Sequence, residues 1–367
     1  AYLQWLGIIN EATADNEDAE IKYAGLVASL NNTTKNYSGM LAGFAKSDNV
    51  ERKTKLEKEL QAWIDSDPER KAKYGAALAD LHELIAQSQS QQARVLYYDT
   101  LGRRSSLLGA ARTLYRLSRE RLKPDMERES GYQERDLGRI GQSLSSLERT
   151  YEASVDAAAW SQFILNYANL PEDQHVQAFD EWFGIDGTSI AEADLHAKLH
   201  EMYSNTTLED LDTRLALMEA TPEALETSDD PFIQLAVQLY ESDIEIENDD
   251  KELAGLFDAV RPRLMEAMIA YNESLDKAIY PDANSTLRVT FGSVMGYSPA
   301  DAVKYTPFTT LTGILQKDTG AEPFNAPQDQ LAAIRNREFS SFYDEALDSV
   351  AVNFLTTLDS TGGNSGS

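Results

Sequence analysis

The end of the sequence places a serine among residues small enough to expose its hydroxyl. The segment Thr361-Gly362-Gly363-Asn364-Ser365-Gly366-Ser367 follows Ala351-Val352-Asn353-Phe354-Leu355, which is predicted to form a β-strand. Small neighbours let the backbone turn sharply, so the hydroxyl is exposed while amide groups converge on one point. The segment therefore predicts Ser365 as a nucleophile, with its own N–H and that of Gly363 forming an oxyanion hole.

The same segment has a second interpretation, because glycine and serine also compose flexible linkers. Composition alone favours a linker or a remnant of cloning. The strand before it and the intervening Asp359-Ser360-Thr361 favour the nucleophile loop instead, since such a remnant is not expected to follow them.

Helices are predicted nearly throughout residues 1–285, the part of the chain that precedes the β-rich segment and Ser365. Leu56, Leu60, Trp63 and Ile64 recur at three- and four-residue spacing with charged residues between them, which is typical of amphipathic helices. About eight to ten helices are expected from the usual helix length. Proline restricts its predecessor and ends helices, so breaks are predicted at Asp67-Pro68, Lys123-Pro124, Leu170-Pro171, Thr221-Pro222 and Asp230-Pro231.

The pattern changes after residue 285. From Thr286 to Tyr297 apolar and polar residues alternate, which predicts a strand that buries Leu287, Val289 and Phe291 on one face. Prolines and glycines then recur as far as Pro327, and the strand at 351–355 comes later. The fold class is therefore α+β, with a large, mostly α-helical domain at 1–285 and a β-rich domain at 286–367.

The charge of the chain limits its partners. The formal net charge is −28, which argues against nucleic acid or an anionic membrane as a partner, because both need a basic face. No cysteine is present, and no apolar stretch approaches the roughly 18 residues of a membrane span. One locally basic run is expected to pair with nearby carboxylates; it comprises Arg103, Arg104, Arg112, Arg116, Arg119, Arg121 and Lys123.

Two segments resemble metal sites without meeting their requirements. His196 and His200 share a helix face, as zinc ligands do, but the Glu after the first histidine and a third ligand are missing. The acidic run at 245–250 lacks the spaced oxygen ligands and central glycine of a calcium loop, so it is interpreted as a solvated turn. The sequence predicts no metal and no cofactor.

Several blocks together resemble the bacterial dipeptidyl-peptidase 7 and 11 family, serine exopeptidases with a chymotrypsin-like fold and a large helical insertion. One of these blocks is the nucleophile segment at the end of the chain. The other blocks precede it and follow the family's order along nearly the whole chain. They are Asn32-Thr33-Thr34-Lys35-Asn36 with Gly39-Met40, Lys123-Pro124-Asp125-Met126-Glu127-Arg128-Glu129, Gly131-Tyr132-Gln133-Glu134-Arg135-Asp136, Gly296-Tyr297-Ser298-Pro299, Tyr305-Thr306-Pro307-Phe308-Thr309-Thr310-Leu311 and Lys317-Asp318-Thr319-Gly320.

The resemblance implies a Ser-His-Asp mechanism that releases dipeptides from the free N-terminus of peptides. The β-rich domain would then be part of a chymotrypsin-like barrel that ends at the nucleophile loop. In the family the His and Asp precede the helical insertion and the specificity pocket follows the serine, so this chain is expected to be an inactive fragment. Its four histidines, His82, His175, His196 and His200, lie in predicted helices with surface-like neighbours, and none has the position of the general base.

The resemblance also assigns a role to the helical domain, which in the family covers the cleft and helps to bind the substrate ammonium group. Asn32 and Asn36 match the segment that holds such a residue, and an asparagine carbonyl can accept a hydrogen bond from an ammonium. Either residue could fill that role, and both could instead be polar residues of an exposed helix face. Export to the periplasm or cell surface and a homodimer are further implications. The alternative function is a non-catalytic helical module that binds peptides or serves as an interaction module.

Overall fold

The computed structural model describes residues 2–99, 106–187, 189–277, 279, 289–321 and 324–358. The chain divides into two compact units, Ala1–Ile279 and Tyr280–Ser367. The boundary predicted between residues 285 and 286 lies outside the described residues and stays a prediction.

The first unit is helical, as predicted. Its described residues form fourteen α-helices, more than the expected eight to ten, because several connections contain helices of only one or two turns. They are α1 (Tyr2–Thr13), α2 (Glu17–Lys46), α3 (Asn49–Asp65), α4 (Pro68–Tyr74), α5 (Ala77–Ser90), α6 (Gln92–Arg94, continued by a π-helix at Val95–Asp99), α7 (Ser106–Glu120), α8 (Leu137–Thr150), α9 (Ala153–Ala168), α10 (Gln177–Phe183), α11 (Glu192–Asn205), α12 (Leu211–Ala216), α13 (Pro222–Glu226) and α14 (Pro231–Ser274).

Prolines mark helix boundaries where the sequence predicted them. Pro68, Pro222 and Pro231 occupy the first turn of α4, α13 and α14, and the residue before each caps the helix with its side chain. The remaining two predicted breaks, at Pro124 and Pro171, precede short 3-10 turns. Proline at the start of a helix loses only an N–H that would have no partner within the helix.

Helix α14 is longer than the sequence indicated. It runs for 44 residues, from Pro231 to Ser274, and it includes the acidic run at 245–250. The prediction of a solvated turn there is therefore wrong, since the absence of a calcium loop does not exclude a helix. Ile246 packs against the main core, and the carboxylate of Glu247 pairs with Lys251 one turn later, which favours continued helix.

The main core of the first unit is built around aromatic side chains. Trp160 of α9 is almost fully buried, with its ring 5.5 Å from that of Phe183 and 5.7 Å from that of Phe232. On α1, Trp5 meets Phe163 edge to face at 5.4 Å. Such contacts join α1, α9, α10 and the first turns of α14 into one apolar layer.

A second, smaller core lies at the other end of α14. It is formed by Leu60, Ile64, Tyr74, Leu78, Ala267 and Tyr271, which come from α3, α4, α5 and the last turns of α14. Between Ile246 and Val260 most side chains of α14 are exposed. One helix therefore joins two cores.

The second unit contains four short strands in its described residues. The strands β1 (Tyr297–Ala300) and β2 (Val303–Tyr305) pair antiparallel, as do β3 (Phe308–Thr310) and β4 (Ala351–Phe354). Helices α15 (Thr312–Lys317) and α16 (Gln328–Arg335) lie between β3 and β4 in the sequence. Gly296 is required where it stands, because a Cβ there would collide with the carbonyl oxygen of Tyr305. The α+β class is confirmed, and the barrel stays a prediction.

Of the two predicted strands, the second is confirmed and the first is not. Residues 351–355 contain β4, but the described part of 286–297 has only an isolated antiparallel bridge, between Val294 and Thr356, before β1 begins at Tyr297. Residues 286–288 lie outside the described range. Val289 and Phe291, expected on a buried face, are 77% and 89% exposed. Alternation indicates a strand only where a second layer covers the apolar side, and no described residue of this unit covers these two.

Asp230 fixes the start of α14 with both oxygens of its buried carboxylate. Oδ1 accepts hydrogen bonds from the N–H groups of Phe232 and Ile233, at 3.0 and 3.3 Å. Oδ2 accepts from the hydroxyls of Thr206 and Thr207 and from the Thr207 N–H, at 2.6 to 3.0 Å. One side chain thus ties the end of α11 to the start of α14.

We expect Asp230→Ala to destabilise the protein by about 2–4 kcal/mol, because a helix cap is worth about 1 kcal/mol and each buried donor left without an acceptor adds about 1–3. The matched control is Asp210→Ala. Asp210 caps α12 through the Thr213 N–H at 2.7 Å but is exposed, so water replaces it. Thermal denaturation of both variants should show the larger fall in Tm for Asp230→Ala; equal falls would contradict this account.

Candidate functional site

The predicted nucleophile lies outside the described residues. Ser365 and Gly363 follow Leu358, the last residue that the structure describes. The strand β4, which precedes them in the sequence, is in place. Their roles stay predictions.

The two candidate residues for amine binding, Asn32 and Asn36, lie on α2. The first half of this helix packs into the main core through Ala19, Tyr23 and Leu30. Asn32 and Asn36 lie beyond that contact, one turn apart on the same face, and both are exposed. Their amides can therefore meet a ligand without displacing a buried contact, and also fit the alternative of a polar helix face.

An apolar surface continues from these amides along α2. Tyr37, Met40, Leu41 and Phe44 are 51%, 48%, 69% and 52% exposed, at the three- and four-residue spacing of one helix face. We call them the α2 stripe. Contiguous exposed apolar groups of this kind are typical of an interaction surface, and Met40 lies one turn after Asn36.

A large cavity lies elsewhere in the first unit. A cleft of about 770 Å³ runs between α7, α8 and α14, and we call it the charged cleft. Its size is typical of small-molecule sites. Charged side chains of α7 and α14 line it, including Arg112, Arg116, Asp243, Glu247 and Lys251.

At one end of the charged cleft, Arg112 and Asp243 form a two-point ion pair. Nε of Arg112 lies 2.8 Å from Oδ2 of Asp243, and Nη2 donates to Oδ1 at 2.9 Å. The hydroxyl of Tyr98 donates to the same Oδ1 at 2.8 Å. Burial raises the pKa of Asp243, and the positive charge of Arg112 opposes that rise. Both side chains of the pair are partly buried, with 19% and 27% of their surface exposed.

Further along the cleft, Arg116 lies between two carboxylates. Its Nε is 2.9 Å from Oε1 of Glu120, which is fully buried, and its Nη1 is 3.5 Å from Oε2 of Glu247. Lys251 then donates to Glu247 and to Glu129, at 2.6 Å each. Every cation of this series therefore faces at least one anion.

Glu120 stays ionised although it is buried. Burial by itself would raise its pKa, but the hydrogen bonds from the Glu129 N–H and the Lys123 ammonium, with the charges of Arg116 and Lys123, lower the pKa below its usual value. Both donors lie 2.9 Å from the carboxylate. This carboxylate organises the segment that joins α7 to α8.

The predicted pairing of the basic run is confirmed for its described members. In addition to the pairs above, Arg119 faces Glu226 at 3.7 Å and Arg121 faces Glu219 at 2.9 Å. Arg103 and Arg104 lie outside the described residues. Sequence reasoning missed the cleft, because its acidic side comes from α14, more than a hundred positions after α7. The one available signal was the spacing of Arg112 and Arg116 on one helix face.

The histidines provide no metal site among the described residues. His196 donates to or accepts from the hydroxyl of Ser161 at 2.9 Å, and His200 is exposed. His175 was expected on a helix surface, which was wrong: it follows a 3-10 turn, and its side chain is buried. Its Nδ1 lies 2.9 Å from a carboxylate oxygen of Asp180, and its Nε2 lies 3.1 Å from the Leu170 carbonyl oxygen. Because both ring nitrogens have partners, the imidazole can be buried.

Comparison with known proteins gives matches along the whole chain. The family model for peptidase S46 matches residues 1–367. An Asp/Glu-specific dipeptidyl-peptidase of Shewanella putrefaciens is 40% identical over 387 residues, which cover 100% of this chain and 52% of that protein. Dipeptidyl-peptidase 7 of Capnocytophaga gingivalis is 27% identical, with 97% and 48% covered.

A solved structure shares the fold. Porphyromonas endodontalis DPP11 in complex with the dipeptide Arg-Glu matches with a TM-score of 0.63 and 19% identity, and the match covers 100% of this chain and 51% of that one. The chain spans about half the length of the curated relatives that it matches.

We expect Glu120→Gln to remove about 3 kcal/mol of stability at pH 7, because Arg116 and Lys123 lose a buried anion. A lowered folded-state pKa gives stability above the unfolded value of about 4.3, and that stability is lost as pH falls through the folded-state pKa. The Tm difference from the unmodified protein should therefore shrink as pH falls below about 4. Glu219→Gln, at an exposed pair, is the control; a pH-independent deficit in Glu120→Gln would contradict the ionised state.

Proposed function

The chain belongs to the peptidase S46 family, and from this premise we propose that the protein containing it releases dipeptides from the free N-terminus of peptides. The observation that carries the proposal is the match of the family model over residues 1–367, together with 40% identity along the whole chain to a dipeptidyl-peptidase. Because the relatives are about twice as long, the activity is proposed for a longer protein that includes this chain.

Ser365 is the nucleophile of this proposal. Its oxygen attacks the carbonyl carbon of the second peptide bond while a histidine takes its proton, and the N–H groups of Ser365 and Gly363 stabilise the resulting oxyanion. The same histidine then protonates the leaving amine, and water hydrolyses the acyl-enzyme. The His and Asp of the triad come from outside this chain, which is expected to be inactive alone. The small residues around Ser365 support its role.

The helical unit caps the cleft and fixes the position of the substrate N-terminus in this proposal. Asn32 and Asn36 supply amide oxygens to the substrate ammonium, and their exposure on one face of α2 supports that role. Because an ammonium held at a fixed distance from Ser365 selects one carbonyl, cleavage falls at the second peptide bond.

The side chain before the cleaved bond is proposed to be Asp or Glu. The relative from Shewanella putrefaciens carries that specificity in its name and is 40% identical, compared with 27% for the dipeptidyl-peptidase 7 of Capnocytophaga gingivalis. The proposal has four further parts. They are a chymotrypsin-like barrel, a division into functional domains at 1–285 and 286–367, export to the periplasm or cell surface, and a homodimer. They are supported by the family resemblance.

We expect the full-length protein to hydrolyse fluorogenic dipeptidyl substrates with a free N-terminus and an acidic second residue, and to reject N-blocked forms. Ser365→Ala should lower kcat at least about 10³-fold, because loss of a triad member leaves only oxyanion-hole and binding effects. A fluorophosphonate should label Ser365 in the active protein. Turnover that survives the substitution, or labelling elsewhere only, would contradict Ser365 as the nucleophile.

We also expect Asn32→Ala or Asn36→Ala to raise KM for substrates with a free N-terminus about 10- to 100-fold, since a hydrogen bond to a charged group is worth about 1.5–3 kcal/mol. Asn31→Ala, a change of the same residue type on the same helix, is the matched control and should leave KM unchanged. If neither Asn32→Ala nor Asn36→Ala raises KM above the control, the ammonium is bound elsewhere.

A further inference from the structure

The charged cleft has the features of a binding site that catalysis leaves unused. Its lining belongs entirely to the first unit and includes none of Ser365, Gly363, Asn32 or Asn36. With about 770 Å³ of space, it is much larger than the gap that imperfect packing leaves between helices.

Charges of opposite sign face each other across the cleft. The cations Arg112 and Arg116 project from α7, and the anions Asp243, Glu247 and Asp250 from α14, with Lys251 beside them. The Arg112–Asp243 pair is tight at 2.8 Å, whereas Arg116 and Glu247 are 3.5 Å apart. A ligand carboxylate can therefore approach Arg116 by replacing its long contact with Glu247. Lys251, which is 52% exposed, has a third N–H besides the two that it donates to Glu129 and Glu247.

This arrangement selects a ligand that carries both charges. A simple anion would compete with Glu247 for its cations, and a simple cation would compete with Lys251 for Glu247, so each would leave one charge of the cleft without its partner. A zwitterion places a carboxylate near Arg116 and Lys251 and an ammonium near Asp250 and Glu247. Because a zwitterion has no net charge, the net charge of the cleft does not change when such a ligand binds.

The walls of the cleft supply the remaining contacts. Leu144 and Leu147 of α8 line one side, Ile244 and Ile246 of α14 another, and the rings of Tyr132 and Tyr240 lie among the polar groups. Ligand pockets typically combine apolar walls with a few polar groups that set orientation. Apolar side chains between two charged termini would match this lining.

We propose that the charged cleft binds a short peptide as its zwitterion, with an apolar or aromatic side chain against α8 and α14. The source of such peptides rests on the proposed function, since an exopeptidase meets and releases them; the binding itself does not.

The experiment uses the dipeptide Leu-Tyr, which a dipeptidyl-peptidase cannot shorten by a further dipeptide, and the full-length protein. Calorimetry should give saturable binding, about tenfold weaker or worse for N-acetyl-Leu-Tyr and for Leu-Tyr-amide, each of which lacks one charge. Hydrogen exchange with bound Leu-Tyr should slow in α7 and in residues 236–254 of α14. Protection confined to other segments, or equal affinity for the blocked forms, would overturn the proposal.

Rim variants test the site without disturbing the buried pairs. Lys251→Gln and Asp250→Asn change exposed side chains, and each should weaken Leu-Tyr binding about tenfold. Arg119→Gln, on the same helix as Arg116 but outside the cleft, is the matched control and should bind normally. Unchanged affinity in both rim variants would overturn the site.

Since hydrolysis is measured separately with the fluorogenic substrates, a protein that binds Leu-Tyr but does not hydrolyse those substrates would count against the proposed function alone.

Discussion

The helical unit depends on one constraint: α14 must belong to two apolar cores at once. Its 44 residues extend about 66 Å at the normal rise of a helix, more than one small core can cover. Phe232 and Leu239 are buried in the main core, and Ala267 and Tyr271 in the second. The position of α3, α4 and α5 relative to α7 and α9 therefore depends on the continuity of one helix. Any break between the cores would uncouple the two ends.

The start of α14 is held firmly, and its middle is stabilised in another way. Asp230 accepts hydrogen bonds from α14 and from the segment after α11, so the helix begins at a fixed point. Its middle has few buried apolar groups, but Asp243, Glu247 and Lys251 pair there with residues of α7 and with Glu129. Partly buried charges such as Arg112, Arg116 and Asp243 are costly unless each is matched, and here each faces a charge of opposite sign.

The same geometry gives the unit its functional surfaces. Charge pairs link α7 and α14, and the charged cleft lies beside these pairs, lined by α7, α8 and α14. On α2, the first half is buried and the second half presents Asn32, Asn36 and the α2 stripe. A helix that is anchored at one end and uncovered at the other is suited to covering another surface, which is the role proposed for it in the peptidase.

Sequence alone determined the features that depend on near neighbours. Caps, first-turn prolines and apolar spacing act within about four residues, so the helical class, the breaks at Pro68, Pro222 and Pro231 and the strand β4 were all predictable. The motifs that match the family are likewise local runs. Tertiary structure decided what depends on distant partners: the burial of His175, the exposure of Val289 and Phe291, and the continuation of α14 through 245–250. The charged cleft joins Arg112 to Asp243 across 131 positions, and no spacing rule reaches that far because only packing of α7 against α14 brings the two charges together.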